Sequence, residues 1–180
     1  MSESLGERPW MSAPATCAVL DALEAKGGAD GARFVGGSVR NALMGRPVDD
    51  IDIATQLTPD EVTDALQAAG LKAVPTGAEH GTITAIAQGK PFEITTLRRD
   101  VETDGRHAVV AFSTDWSEDA QRRDFTLNAL YASRDGTIHD PTGSGVADGK
   151  AGRIVFVGDP ATRIAEDYLH ILRFLRFYDR

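Results

Sequence analysis

Two aspartates one residue apart, in Asp50-Ile51-Asp52, open a stretch that alternates polar and apolar through Ile53 and Ala54. If residues 50–54 form a strand, side chains at i and i+2 share a face, about 6.5–7 Å apart along the backbone. Two carboxylates so placed can converge on hard divalent cations, which prefer oxygen ligands, while Ile51 and Ile53 anchor the opposite face in a core. Magnesium held there could lower the pKa of an attacking hydroxyl and neutralise charge on a leaving phosphate. Alone, an Asp-x-Asp is more often an edge strand with two solvated acids; a neighbouring motif reverses the balance. Gly36-Gly37-Ser38-Val39-Arg40 follows the short apolar run Phe34-Val35. Glycines at a strand end let backbone N–H groups approach a phosphate, and the helix that follows presents its positive N-terminus. Arg40 lies one turn in, within reach of a triphosphate. Neither a P-loop nor a dinucleotide fingerprint is present, since the glycine spacing and the Gly-Lys-Ser/Thr are missing. A third acid, Glu93, sits in Phe92-Glu93-Ile94-Thr95-Thr96-Leu97-Arg98. It completes the cluster only if its strand pairs beside residues 50–54; a surface glutamate facing a lysine is nearly as good a reading.

The elements that must position these groups follow from periodicity and punctuation. Residues 12–27 have helical spacing of Ala15, Val19, Ala22 and Leu23 and stop at Gly27-Gly28. Phe34-Val35, the glycine pair and residues 38–44 read as strand, turn and helix. Thr58-Pro59-Asp60-Glu61 opens a helix with an N-cap, a first-turn proline and a capping box, running to about Ala69. Strands are expected at 71–74, 82–87 and 92–97, the last two a hairpin turning at Gly89-Lys90. Residues 99–108 read as a mobile charged loop, 109–112 as a short strand, and 117–132 and 160 to the end as helices. Gly136-Thr137, Pro141 and Gly143-Ser144-Gly145 mark turns. The predicted class is α/β (α+β): a head with a small mixed sheet flanked by helices, then the start of a helical neck domain. The expected boundaries are a helical extension over 1–30, the head over 31–157 and the neck over 158–180.

Composition is that of an ordinary folded protein, 42% hydrophobic and 26% charged over 180 residues. No apolar run approaches a membrane span, and MSESLGERPW lacks the basic and apolar regions of a signal peptide. Cys17 is the only cysteine, which excludes an internal disulfide or a cysteine-based zinc site. These features predict a cytoplasmic protein. A net charge of −8 argues against a general nucleic-acid coat. Arginine nonetheless gathers at the end, at Arg153, Arg163, Arg173, Arg176 and Arg180. The chain stops inside a helical pattern, so further basic surface is expected in sequence beyond it. His80, His107 and His139 show no zinc-ligand spacing, and Trp10 and Trp116 lack a base-stacking context.

In combination the motifs carry more than each does singly. Gly36 to Asn41 followed by Asp50 to Thr55 resembles the head of class II tRNA nucleotidyltransferases (CCA-adding enzymes) and bacterial poly(A) polymerases, within the polymerase β-like nucleotidyltransferase superfamily. Further matches come in order. Glu93 to Arg98 is similar to the family's third-carboxylate strand, and Asp104-Gly105-Arg106-His107 to its flexible loop. Arg122 to Leu130 is similar to its ribose-recognition motif, Asp140-Pro141 and Gly149 to the segment after it. Glu166-Asp167 and Arg173 to Phe177 resemble its nucleotide-selecting helix. The resemblance spans residues 34–178.

It implies template-independent addition of CMP and AMP from CTP and ATP to the tRNA 3′ end by a two-Mg²⁺ site, with no protein nucleophile. Asp50 and Asp52 would bind Mg²⁺, with Glu93 as third catalytic acid. Gly36, Gly37, Ser38 and Arg40 would hold the triphosphate. Arg123, Asp124 and Asn128 would grip the nucleotide, Asp124 near the ribose 2′-hydroxyl, while Phe125, Leu127 and Leu130 are core. Asp167 would accept from the exocyclic amino group of C or A, and Arg173 and Arg176 match the family's remaining phosphate- and base-contacting arginines. The family's Glu-Asp-x-x-Arg has His170 at its last position here. Imidazole offers one donor and one acceptor where guanidinium is a fixed fork of donors. The departure is either altered C/A selection or a tolerated surface change, with equal weight. Poly(A) addition, and a nucleotide-binding head that does not extend RNA, are the alternatives. Nothing in the sequence bears on oligomeric state.

Overall fold

The computed structural model describes residues 4–103 and 107–158. The secondary-structure order is α1 (Pro9–Ser12), α2 (Pro14–Gly27), β1 (Ala32–Val35), α3 (Gly37–Leu43), β2 (Asp52–Thr55), α4 (Pro59–Ala68), β3 (Lys72–Gly77), β4 (Thr82–Ala87), β5 (Lys90–Thr96), β6 (Arg98–Thr103), β7 (His107–Phe112), α5 (Trp116–Gln121), β8 (Tyr131–Ala132), β9 (Ile138–His139) and α6 (Gly145–Ala151). Short 3-10 turns cover Ala78–His80 and Thr126–Asn128. Seven strands form one sheet in the order β3-β4-β5-β2-β1-β8-β9, and β6 and β7 form a separate pair. Within the large sheet β2 and β5 run parallel and the other neighbours antiparallel. This is the mixed sheet expected.

Strand alternation divides the sheet into two faces. Phe34, Ile53, Ile83, Ala85, Phe92 and Ile94 point to one side, where α2 contributes Val19, Leu20 and Leu23 and α4 contributes Val62 and Leu66. Leu5 and Met11 join the same core. Val35, Ala54 and Leu97 point to the other side, packed with Ala120, Ala129 and Tyr131. Among the described residues that second face is only partly covered, and a cleft lies above β2 and β5. The β4–β5 hairpin turns at Gln88-Gly89, because Lys90 already pairs with Ala87; the expected turn was one residue later.

Three expected segments differ. Residues 99–108, expected to be a loop, contribute their described part to an antiparallel pair running from Arg98↔Phe112 to Thr103↔His107. A strand pair outside the main sheet is held by its own backbone ladder and needs no apolar alternation, the signal a sequence reading relies on. Residues 117–132 are not one helix. α5 ends at Gln121, and Phe125 is extended (φ −115, ψ 149) before the 3-10 turn and β8. Asp124 turns its carboxylate onto the Phe125 N–H at 2.7 Å, a local bond that competes with helix continuation. Gly143 to Gly145, expected to be a turn, instead leads into α6, which begins at Gly145. Asp140 caps it by accepting from Gly145 N and Val146 N at 3.2 and 3.1 Å. A Cβ on Gly145 would stand 2.5 Å from the Thr126 carbonyl oxygen, so this glycine serves close backbone approach rather than a bend. The helix expected from residue 160 lies outside the described residues.

The α4 start is as its sequence suggests. Thr58 Oγ1 accepts from Glu61 N at 3.3 Å and Glu61 Oε1 accepts from Thr58 N at 3.1 Å. Replacing Thr58 by Ala removes one half of this reciprocal cap, and urea denaturation is expected to show a loss of about 1 kcal/mol. A change below about 0.3 kcal/mol would mean that packing of Val62 and Leu66 alone holds the helix.

Candidate active site

The acidic pair is made by the parallel register of β2 and β5, which sets Asp52 opposite Glu93, Ile53 opposite Ile94 and Ala54 opposite Thr95. Because side chains alternate, the register that buries Ile53 and Ile94 in the core turns Asp52 and Glu93 together to the other face. The pairing on which Glu93's candidacy depended is therefore present. The two carboxyl groups are within hydrogen-bonding reach of each other. Burial, the charge and hydrogen bond of Glu93, and the charge of Asp50 raise Asp52 to about 6, against an opposing pull from Arg123.

Asp50 is placed differently from expectation. The strand begins at Asp52, and Asp50 is an exposed residue in the bend before it. The ladder ends where Glu93 N donates to Ile51 O at 3.3 Å, so among the described residues the upstream backbone has no strand partner to hold Asp50 at i−2. Its carboxylate acts on Asp52 through charge but does not line the cleft with it.

Beside the acids, β1 runs antiparallel to β2 with Phe34 opposite Ile53, so the chain leaving β1 emerges next to Asp52. There Gly36 adopts φ +65, and its N–H donates to Leu130 O at 3.2 Å. Positive φ suits glycine and lets the chain enter α3 at once. Gly36, Gly37 and Arg40 line the cleft with Asp52 and Glu93. Ser38 does not: it is 2% exposed and donates its hydroxyl to Val35 O at 3.1 Å, closing the strand-to-helix turn. The opposite wall comes from the segment between α5 and β8. Arg40 Nη1 donates to Asn128 Oδ1 at 2.8 Å, and Asn128 Nδ2 donates to Asp124 Oδ1 at 3.2 Å. These bonds connect the glycine turn to the Arg123-Asp124 motif across a cleft of about 360 Å³. Phe125, Leu127 and Leu130 are buried at 0, 3 and 0% exposure, the core role expected of them.

Arg123 is held from behind. Its Nε and Nη2 donate to Asp119 Oδ2 at 3.2 and 3.0 Å, and its Nε also reaches the Tyr131 hydroxyl at 3.3 Å. Asp119, 1% exposed, further accepts from the Tyr131 hydroxyl and from Arg98 N at 3.0 Å. Burial by itself would raise Asp119; the Arg123 guanidinium, the Tyr131 hydroxyl and the Arg98 N–H outweigh it and keep the carboxylate below its ordinary range. Burial likewise raises the Tyr131 hydroxyl. Behind Tyr131, Trp116 packs edge-on at 5.2 Å and Arg33 lies 4.2 Å over the Trp116 ring.

Sequence reading missed Thr95, Arg98, Asp119 and Tyr131. Thr95 was detectable as the i+2 neighbour of Glu93 on its strand, and Asp119 as the i−4 partner of Arg123. Arg98 and Tyr131 carried no local signal. Asp167, His170, Arg173 and Arg176 lie outside the described residues, as do Asp104, Gly105 and Arg106.

An all-oxygen pair that retains a proton well above the usual carboxylate range has the chemistry to accept a hard divalent cation in that proton's place. Among the described residues no three His, Cys, Asp or Glu side chains form a ready ligand group. A cation bound by one or two carboxylates and completed by water and substrate phosphate fits such a site.

Asp119→Asn is expected to destabilise the fold by about 3 kcal/mol at pH 7, as breaking a buried ion pair does. Because Asp119's folded value is lowered, its contribution is present above the unfolded value and is lost as pH falls through the folded one. The gap between parent and variant in urea melts should therefore narrow below about pH 4. A gap that stays constant down to pH 2 contradicts the ionic account.

Residues 32–155 match the family described as the poly A polymerase head domain. CCA tRNA nucleotidyltransferase 1, mitochondrial, of Homo sapiens is 50% identical over 149 residues, covering 82% of this chain and 34% of that protein. The CCA-adding enzyme of Bacillus pumilus is 45% identical over 148 residues, covering 81% and 36%. The chain thus spans about a third of the length of these relatives. Among solved structures, the Bacillus stearothermophilus CCA-adding enzyme in complex with CTP superposes with a TM-score of 0.76 at 37% identity, over 91% of this chain and 39% of that one. A tRNA nucleotidyltransferase complexed with a primer tRNA and an incoming ATP analog superposes at 0.63 and 32% identity, over 81% and 40%. With the profile match running from β1 past α6, and the glycine turn, acidic pair and arginine wall all inside it, the chain belongs to the poly A polymerase head-domain family.

Proposed function

We propose that this chain is the catalytic head of a tRNA nucleotidyltransferase, adding CMP and AMP from CTP and ATP to the tRNA 3′ end. The observation that carries the reading is the Asp52–Glu93 pair in register beside the glycine turn and facing Arg123 and Asp124. Relatives are CCA-adding enzymes by name, and related structures hold CTP, or a primer tRNA and an ATP analog.

In this reading an RNA 3′-hydroxyl attacks the α-phosphate of the nucleotide and pyrophosphate leaves. Asp52 and Glu93, with Asp50 close by, would hold Mg²⁺, which assists such a site by lowering the pKa of the attacking hydroxyl and neutralising leaving-group charge. Gly36 and Gly37 admit the triphosphate to the backbone, and Arg40 neutralises it. Arg40 already spans to Asn128, so triphosphate and sugar sites are set at one spacing. Arg123, braced by Asp119, presents its guanidinium without rotamer freedom to lose on binding. Asp124 meets the ribose, where a 2′-hydroxyl contact separates ribo- from deoxyribonucleotides. Catalysis is positioning and charge neutralisation, with no covalent protein intermediate. Residues 158–180 would begin a neck, with Asp167 and His170 at the base and Arg173 and Arg176 beyond.

The family's own description favours poly(A) addition as the second reading. The test is extension of a labelled tRNA ending before CCA, with CTP and ATP supplied separately and together. Discrete additions that stop after A support CCA synthesis; long A ladders support the alternative; no extension by the intact protein refutes both. Asp52→Ala should reduce kcat/KM by about 10³-fold or more, since each 1.4 kcal/mol of lost stabilisation is tenfold. Chelation should abolish extension and added Mg²⁺ restore it. Parent-like extension by Asp52→Ala would remove the acidic pair from the mechanism.

A further inference from the structure

The cleft has a second basic end. Register places Gly36 and Gly37 past the Asp52 end of β2, whereas β5 runs parallel to β2 from Glu93 through Thr95 towards Arg98. Arg98 therefore stands at the opposite end of the acidic pair from the glycine turn, and its side chain lines the same cleft. It is firmly held. Its backbone N–H donates to Asp119 Oδ1 at 3.0 Å, and Nη1 donates to the His80 carbonyl oxygen at 3.1 Å. Its Nε, buried, has no hydrogen-bond partner among the described residues. A buried donor left without an acceptor is costly and uncommon. Its surroundings add to the demand: burial first, then the charge of Arg122 and of Arg123, disfavour the charged guanidinium, while Asp119 and Asp100 only partly compensate. Asp119 is engaged with Arg123 and Asp100 with Arg122. A prepositioned cation that lines the cleft beside other cations fits an anion that has yet to arrive.

The direction of the reaction identifies which anion. In phosphoryl transfer the attacking and leaving oxygens are roughly in line. If pyrophosphate leaves towards Gly36, Gly37 and Arg40, the nucleophile enters from the other side of the acidic pair, which is the Arg98 end. The strand that carries the 3′-hydroxyl brings its backbone phosphates with it. We infer that Arg98 binds a backbone phosphate of the RNA acceptor and so positions its 3′-hydroxyl over the Asp52–Glu93 pair. The inference rests on the RNA-extension reading above and adds to it where the second substrate is gripped. Guanidinium suits the role because Nη1 can stay on His80 while the cleft-facing part of the group meets a phosphate.

The test compares Arg98→Gln with the parent in the whole protein, using tRNA that ends before CCA, with CTP and Mg²⁺. KM for the RNA should rise about tenfold or more, as expected on losing a charged hydrogen bond, while KM for CTP stays within twofold. The slope of log RNA affinity against log salt, read by fluorescence anisotropy, should fall by about 0.7–0.9, the value of one phosphate contact. Arg98→Lys, which keeps the charge, should restore the slope. Arg98→Met, which preserves the packed stem, takes the place of Arg98→Gln if the latter does not fold. An unchanged RNA KM and slope overturns the inference. So does a rise in KM for CTP alone, which would assign the phosphate to the nucleotide, or weaker RNA binding at constant slope, which would mark a packing role. If the parent extends no RNA, the functional reading fails by itself; anisotropy of the same RNA, needing no turnover, still decides whether Arg98 meets a phosphate.

Discussion

Two carboxylates facing one another across a parallel strand pair repel, and the rest of this structure is arranged around that repulsion. Asp52 and Glu93 are brought into register because Ile53 and Ile94, their chain neighbours, are both buried on the opposite face of the sheet. A one-residue slip would send the isoleucines into the cleft and the acids into the core, so hydrophobic burial pins the acids where their mutual charge disfavours them. The result is an aspartate that holds its proton up to about 6. Folding energy from the apolar face thereby maintains a polar face that only a bound cation or proton relieves.

Cationic groups border this pair, each held by a protein partner of its own. Arg40 is directed to Asn128, Arg123 to Asp119 and Tyr131, and Arg98 to the His80 carbonyl oxygen. Each has a protein partner that fixes its orientation while the side chain still borders the cleft. Asp119 is the common anchor: one buried carboxylate ties the start of β6, the end of α5 and the hydroxyl of β8 together. Because that carboxylate is buried, its bonds are strong but conditional on every partner remaining in place. Preorganised charge of this kind is what phosphoryl transfer requires, since little covalent chemistry falls to the protein.

The covered face and the open face also differ in how they tolerate irregular backbone. Where the sheet meets α2 and α4, the capping box is complete and the apolar side chains form one core. On the open side the chain uses a glycine at φ +65, a 3-10 turn and short strands. Irregular backbone there sets Gly36, Gly37, Arg123, Asp124 and Asn128 along the cleft. α6 lies beneath this region, with Gly145 against Thr126 O and Asp148 accepting from the Thr126 hydroxyl at 2.7 Å.

Local chemistry along the chain was sufficient for a good part of this. The strand–Gly36-Gly37–helix unit, the capping box at Thr58, the β4 limits and the burial of Phe125, Leu127 and Leu130 were legible because each depends on neighbours within a few residues. The ordered motifs, read together, also pointed to the family. What tertiary structure alone decided was pairing. Whether Glu93 joins Asp52 depended on a parallel register between strands separated by α4 and a hairpin. Whether Asp50 shares that face depended on where the ladder ends. Asp119, Tyr131 and Arg98 became one cluster only when β6, α5 and β8 were brought side by side. Short-range periodicity records which face of an element is apolar; it does not record which other element that face will meet, and the cleft is made entirely of such meetings.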